Sequence, residues 1–425
     1  MQENIETTNT QIENTAVKAV PVQKQERIET LDIIRGVALL GILLVHMPLW
    51  FGTPHLYLEF VGQSPEWTGW NRLTEIFVST FASAKFFPIF SFLFGLGFFI
   101  FFERAKERNP NPKRLFRKRL FFLMLIGFAH AFLIWWGDIL VSYALFGFLL
   151  PLFFDRKPKT LLIWIGVFFI LTVFFTFFGV ITMLLQGMHK EVTATEMPAV
   201  FTTFFENRLE SSIQAYRYGT FGEIMRQRAS DTLFVYAFMP FNIIAVFPMF
   251  LLGLYAGKKG IFQNIESNLP FIKKAWKWSF AIAIPMSIAV IILQKLPNTN
   301  IYLSLSAIAG FFSMVGLVVF YITSITLLCQ NAKWLLRLKP FAYVGRMALS
   351  NYLLQSIIGT LIFYNYGLGL YGQIAPAFGM VLALVIFAVQ IFISKWWLER
   401  YQFGPMEWTW KSLTYGKRFK NKVQN

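Results

Sequence analysis

An otherwise apolar run, "LDIIRGVALLGILLVHMPLW" (31–50), carries two basic side chains eleven residues apart, Arg35 and His46. Eleven residues advance an α-helix by three turns plus about 20°, so the two groups share one face about 16 Å apart. Asp32 stands three residues before Arg35, close enough in a helix to pair with it. A guanidinium suits phosphate or carboxylate, and an imidazole is the commonest general base. Such a stripe fits a molecule with an anionic head at one end and a reactive group at the other. The plainer reading makes Arg35 a topology charge and His46 a helix-packing residue.

Other candidates lie further along the chain. His130 precedes Asp138 by eight residues, across "AFLIWWG". On one straight helix that spacing is about 80° of rotation and about 12 Å of rise, so direct pairing is not expected. Both can still face one cavity, as catalytic partners of His46; otherwise His130 is a core imidazole and Asp138 a solvated turn. "GRMALSNYLLQS" (345–356) holds Arg346 together with Asn351 and Gln355, which share a face four residues apart. Lys85 is a second charge inside an apolar run. Charges at bilayer depth are costly and mark functional sites or interhelical hydrogen bonds. "RLFRKR" (114–119) supplies Arg117 and Arg119. It is either a topology determinant or an entry surface for a polyanion. His55 and His189 read as surface residues of outer loops. Asp32, Lys85, Asn351 and Gln355 are expected to line a cavity, and Arg35, Arg117, Arg119 and Arg346 to hold a donor's anionic part. No metal site is expected: Cys329 is the only cysteine, and no H-E-x-x-H occurs. Nor is there a Walker loop, a dinucleotide glycine pattern or a G-x-S-x-G elbow.

Helices crossing a membrane must position these groups. The 425 residues are 56% hydrophobic and 14% charged, and the mean hydropathy is +0.53. Apolar runs long enough to span a bilayer recur along the chain. The expected fold is all-α: a polytopic integral membrane protein of about ten spans, near 33–51, 76–102, 120–136, 139–154, 160–185, 232–257, 278–294, 303–328, 341–364 and 376–397. The third and fourth are short and read as a hairpin. With the N-terminus inside, the inner segments hold 28 Lys and Arg and the outer ones 7, which predicts both termini cytoplasmic. Residues 1–26 read as a polar disordered tail, 27–400 as one helical domain with an outer loop at 186–231, and 401–425 as a basic interfacial tail. The net charge of +17 is spread over six inner segments, which excludes nucleic acid and favours membrane lipids as partners. "FFPIFSFLFGLG" (86–97) and "VFPMFLLGLYAG" (246–257) hint at an internal repeat.

An Arg followed by ten residues and then a His on the first span resembles the type-three membrane acyltransferases. The opening "DIIRGVA" (32–38) is similar to that of heparan glucosaminide acetyltransferases. Over most of the chain the nearer resemblance is to the YeiB-like bacterial membrane family (domain of unknown function 418). It rests on "RIETLDIIRGVALLGILL", "FFPIFSFLFGLGF", "GFAHAFLIWWGDILVSYALFG", "FPMFLLGLYAGKKGIF", "GRMALSNYLLQS" and "GPMEWTWKSLTY". The resemblance implies an acyltransferase in a bacterial plasma membrane. It would move an acyl group from a cytoplasmic donor to a glycan or other envelope acceptor at the outer face. No tightly bound cofactor is expected; acyl-coenzyme A enters as a co-substrate. The alternative is a transporter or exporter of a small amphiphile.

Overall fold

A computed structural model describes residues 28–61, 65–108, 110–185, 187, 199–297 and 299–423. The tail 1–26 and His189 lie outside them. The described chain forms sixteen α-helices. α1 (Glu29–Val45) runs into a π-helical stretch, His46–Phe51, and α2 (His55–Val61) follows. α3 (Gly69–Phe77) joins α4 (Phe86–Arg108) through a second π stretch, Val78–Ala82. Then come α5 (Pro112–Leu133), α6 (Leu140–Gly147) and α7 (Pro158–Leu185). α8 (Ala199–Ile213) and α9 (Phe221–Ala237) lie mostly in the segment expected as an outer loop. α10 (Met239–Lys258), α11 (Ile265–Leu293) and α12 (Asn300–Leu328) are long and apolar. α13 (Ala332–Arg346), α14 (Ala348–Phe363), α15 (Pro376–Arg400) and α16 (Pro405–Tyr415) complete the fold.

Among the described residues, seven helical stretches are long and apolar enough to cross a membrane, against an expectation of ten. The other three expected spans correspond to α5, α6 and the α13–α14 pair. α5 opens on a charged turn, α6 has only 8 residues and α14 only 16, so none is a full-length apolar span. The membrane-facing surface is plain on α7, where Ile163, Ile170, Phe174 and Phe178 are exposed. A helix has no unpaired backbone groups along its length, so such apolar faces suit lipid.

Small residues let the central helices approach closely. A Cβ on Gly36 of α1 would strike the Phe341 carbonyl of α13, and one on Gly345 of α13 would strike the Asp32 carbonyl of α1. α4 and α10 repeat the arrangement: Gly95 lies against the Phe250 carbonyl and Gly253 against that of Phe92. The two Pro-containing segments suspected of being a repeat are thus packing partners. These two crossings set α1, α4 and α14 around one space, with α5 and α6 closing its side.

Candidate functional site

That space is a cavity of about 870 Å³. Along α1 it follows Ile28, Asp32, Arg35, Leu39 and Ile42. α14 adds Ala348, Leu349 and Tyr352, and α4 adds Phe87, Phe90 and Phe94. Arg35, Arg104, Arg119 and Arg346 gather at one end. The rest of the wall is largely aromatic and aliphatic, down to Tyr143 and Tyr352. The cavity is therefore amphipathic along its length.

Its charged end is partly self-neutralised. Arg35 pairs with Asp32 on α1, as their three-residue spacing allows. The Arg119 guanidinium lies over the Trp410 ring, 3.8 Å from the centroid, while the Trp410 indole nitrogen donates to the Arg119 carbonyl at 2.8 Å. Glu407 accepts from the Ser350 amide at 3.0 Å and from the Ser350 hydroxyl, capping the first turn of α14. Burial pushes the Glu407 carboxyl above the usual range, and its bonds to Ser350 oppose the shift. Arg346 is different. The chain breaks between α13 and α14 at Met347 (φ −114°, ψ 36°), which leaves Arg346 at the rim. Its Nε has no hydrogen-bond partner among the described residues. Its guanidinium keeps a donor for an anion in the cavity.

Beyond the closed end of the cavity lies a second cluster. His130 Nδ1 is 2.8 Å from Asp138 Oδ2, and His130 Nε2 is 2.9 Å from Ser356 Oγ. Asp138 Oδ1 also accepts the Val141 amide at 2.8 Å, in the first turn of α6. All three side chains are withdrawn from solvent: His130 is 1% exposed, Asp138 7% and Ser356 1%. The expectation that His130 and Asp138 cannot pair is corrected here. α5 ends at Leu133, and the non-helical return through 134–139 swings Asp138 back beside the imidazole. Tyr352 separates cavity from cluster. Its ring packs 5.0 Å from that of His130, and its hydroxyl donates to the Gly137 carbonyl at 3.2 Å.

The other sequence candidates fall into three groups. His46 opens the π-helical stretch one turn past Ile42, where the cavity lining on α1 ends. Its ring packs on Trp135 (4.7 Å) and Phe51 (5.8 Å). Trp135 also touches the His130 ring at 6.4 Å, so it stands between the two imidazoles. Arg35 and His46 therefore do not share the cavity. Arg117 turns away from Arg119, into a separate basic groove with Lys106, Lys113, Arg114 and Lys118. Lys85 lies outside the cavity lining, at the break before α4 beside the left-handed Ala84, and donates to the Ser79 carbonyl at 3.1 Å. Asn351 and Gln355 also lie outside the lining. They face α15: Asn351 donates to Ser394 Oγ (2.9 Å) and Gln355 to Gln390 Oε1 (2.8 Å). His55 packs its ring against Trp50 at 5.7 Å.

Sequence reasoning missed Ser356, whose partner His130 is 226 positions away, and the α16 residues Glu407, Trp410 and Tyr415 on the cavity wall. Only the polar run around Ser356 signalled the first. The aromatic stretch "MEWTW" signals the second, but its composition equally suits an interfacial tail.

Fold and site together define a polytopic all-α membrane protein with an arginine-rimmed internal cavity. Residues 256–417 match the family described as protein of unknown function (DUF418). The chain is 36% identical over 411 residues to the uncharacterized protein YxaH of Bacillus subtilis (strain 168), covering 93% of this chain and 96% of the relative. It is 29% identical over 416 residues to the uncharacterized protein YeiB of Escherichia coli (strain K12), covering 92% and 96%. It is 28% identical over 401 residues to an uncharacterized 39.9 kDa protein in the amylase 3' region of Bacillus acidopullulyticus, covering 94% and 97%. The chain belongs to this YeiB-like DUF418 family.

Proposed function

We propose that the protein is a membrane acyltransferase that takes its donor, an acyl-coenzyme A, from the cytoplasm and delivers the acyl group to an acceptor from the opposite face. One observation carries the reading. A single cavity of about 870 Å³ has guanidinium groups at one end and an apolar aromatic body that stops at Tyr352, against the His130–Asp138 pair. Its size lies in the range of sites that enclose small ligands. Its polarity matches a thioester donor: Arg346 and Arg119 meet phosphate oxygens, and the acyl chain lies among Phe87, Phe90 and Phe94. The basic groove around Arg117 lies on the other side of the same helix and extends the positive surface at the mouth. The bias of basic residues supports a cytoplasmic mouth. Asp138 holds His130 in one tautomer, leaving Nε2 as the base.

The test is acyl transfer by the purified protein in nanodiscs. A labelled acyl-coenzyme A is supplied with a bacterial envelope extract as the source of acceptor. Expected results are release of free coenzyme A and label in an envelope product, both abolished in His130→Ala of unchanged folding. Movement of an unaltered amphiphile across sealed vesicles, with no thioester cleaved, would establish the transport reading instead.

A further inference from the structure

The hydroxyl at the end of the relay has no assigned task in a direct transfer. We infer that Ser356 is a nucleophile that carries the acyl group as an ester between donor and acceptor; the inference rests on the acyl-transfer reading. Three observations support it. Ser356, His130 and Asp138 form a line of two short bonds, 2.9 Å and 2.8 Å, in which the carboxylate orients the imidazole and the imidazole meets the hydroxyl. That is the arrangement that activates a weak nucleophile. Ser356 is also the next residue on the face of α14 that lines the cavity, one turn past Tyr352. Finally, the indole nitrogen of Trp135, 1% exposed and beside His130, has no partner among the described residues. It is a spare donor for a carbonyl oxygen that gains negative charge.

In the first step Ser356 Oγ attacks the thioester carbonyl carbon and its proton passes to His130 Nε2. The carbon–sulfur bond breaks, and the imidazolium protonates the leaving thiolate. In the second step an acceptor hydroxyl or amine attacks the ester. Its proton passes through His130 to Ser356 Oγ as the carbon–oxygen bond breaks. No oxidant or metal is needed. Tyr352 must turn aside for the thioester to reach Ser356, giving up its 3.2 Å bond to the Gly137 carbonyl and the one from the Ile139 backbone.

Two probes test this without knowledge of the acceptor. The full-length protein in nanodiscs is treated with a fluorophosphonate, which modifies activated serines, or with acetyl-coenzyme A, followed by peptide mass spectrometry. Ser356 should carry the phosphonate or an acetyl group, and His130→Ala should lose the label. Ser356→Ala should lower transfer by roughly 10³-fold or more. Ser356→Cys should accumulate a trapped thioester. If Ser356 takes neither probe, or Ser356→Ala transfers at near the parent rate, the nucleophile is overturned and the transferase reading stands. If the fluorophosphonate labels Ser356 but no acyl-coenzyme A is consumed, the nucleophile is supported and the proposed donor is wrong.

Discussion

Single substitutions separate the two ends of the site. Asp138→Asn keeps the volume but turns one oxygen into an NH₂ donor, so either the His130 tautomer or the bond to the Val141 amide is lost. Transfer should fall by about 10³–10⁴-fold with modest loss of stability. Asp138→Ala strands two buried donors and should cost a further ~1–3 kcal/mol in thermal unfolding. At the rim, Arg346→Ala removes the guanidinium with a free Nε. Expected is a 10–100-fold rise in donor KM with little change in kcat, on the order of 1.5–3 kcal/mol for a charge-assisted bond. Equal loss from kcat alone would move Arg346 from binding to chemistry. Much at this scale was readable: Asp32 and Arg35 pair as their spacing says, and Arg119 and Arg346 reach one cavity. The relay was not readable, because Ser356 and His130 meet only through tertiary packing. His46 shows the converse. Helical spacing placed it in line with Arg35, and the cavity simply ends before it.

Helix breaks, more than helices, place the chemistry. Composition foretells long apolar spans and a hairpin turn near 137–138, yet nothing local marks how that return folds back on His130 or the break at Met347. The Gly36–Gly345 crossing of α1 and α13 makes a direct test of packing. Gly345→Val pushes a branched side chain into the Asp32 carbonyl, so the backbones must separate. Overpacking of this kind costs about 1–3 kcal/mol or more, visible as a lowered thermal midpoint in detergent. α16 makes a second test. Its Glu407 is docked on the start of α14, with its pKa raised by burial. The folded protein therefore keeps that proton to higher pH than an unfolded chain does. The docked helix is favoured at low pH and loses stability as pH rises through the raised value. Relative to Glu407→Gln, the parent protein should lose thermal stability over that rise, with the difference vanishing at low pH.

For the whole molecule, the decisive quantity is orientation, because an amphipathic cavity defines a reaction across a membrane only when its mouth is assigned a side. The helices that carry Arg35, Arg119 and Arg346 bring those residues to one end, while Phe363 packs against Gly52 and Phe51 against Gly359 outside the cavity lining. Among the described residues, seven helical stretches satisfy length and apolarity, and the interleaved shorter ones make the number of crossings a poor guide to sidedness. The distribution of Lys and Arg is the better guide: the segments expected inside hold 28 against 7 in those expected outside, which favours a cytoplasmic arginine end. In a Cys329→Ser background, a cysteine at exposed Arg114 and one at exposed Tyr218 report opposite faces. A membrane-impermeant maleimide should label Tyr218→Cys in intact cells and Arg114→Cys only after permeabilisation. The reverse pattern would put the guanidinium rim outside, away from any cytoplasmic thioester. The donor would then have to be an extracytoplasmic anionic amphiphile, with the same cavity and relay working in the opposite direction.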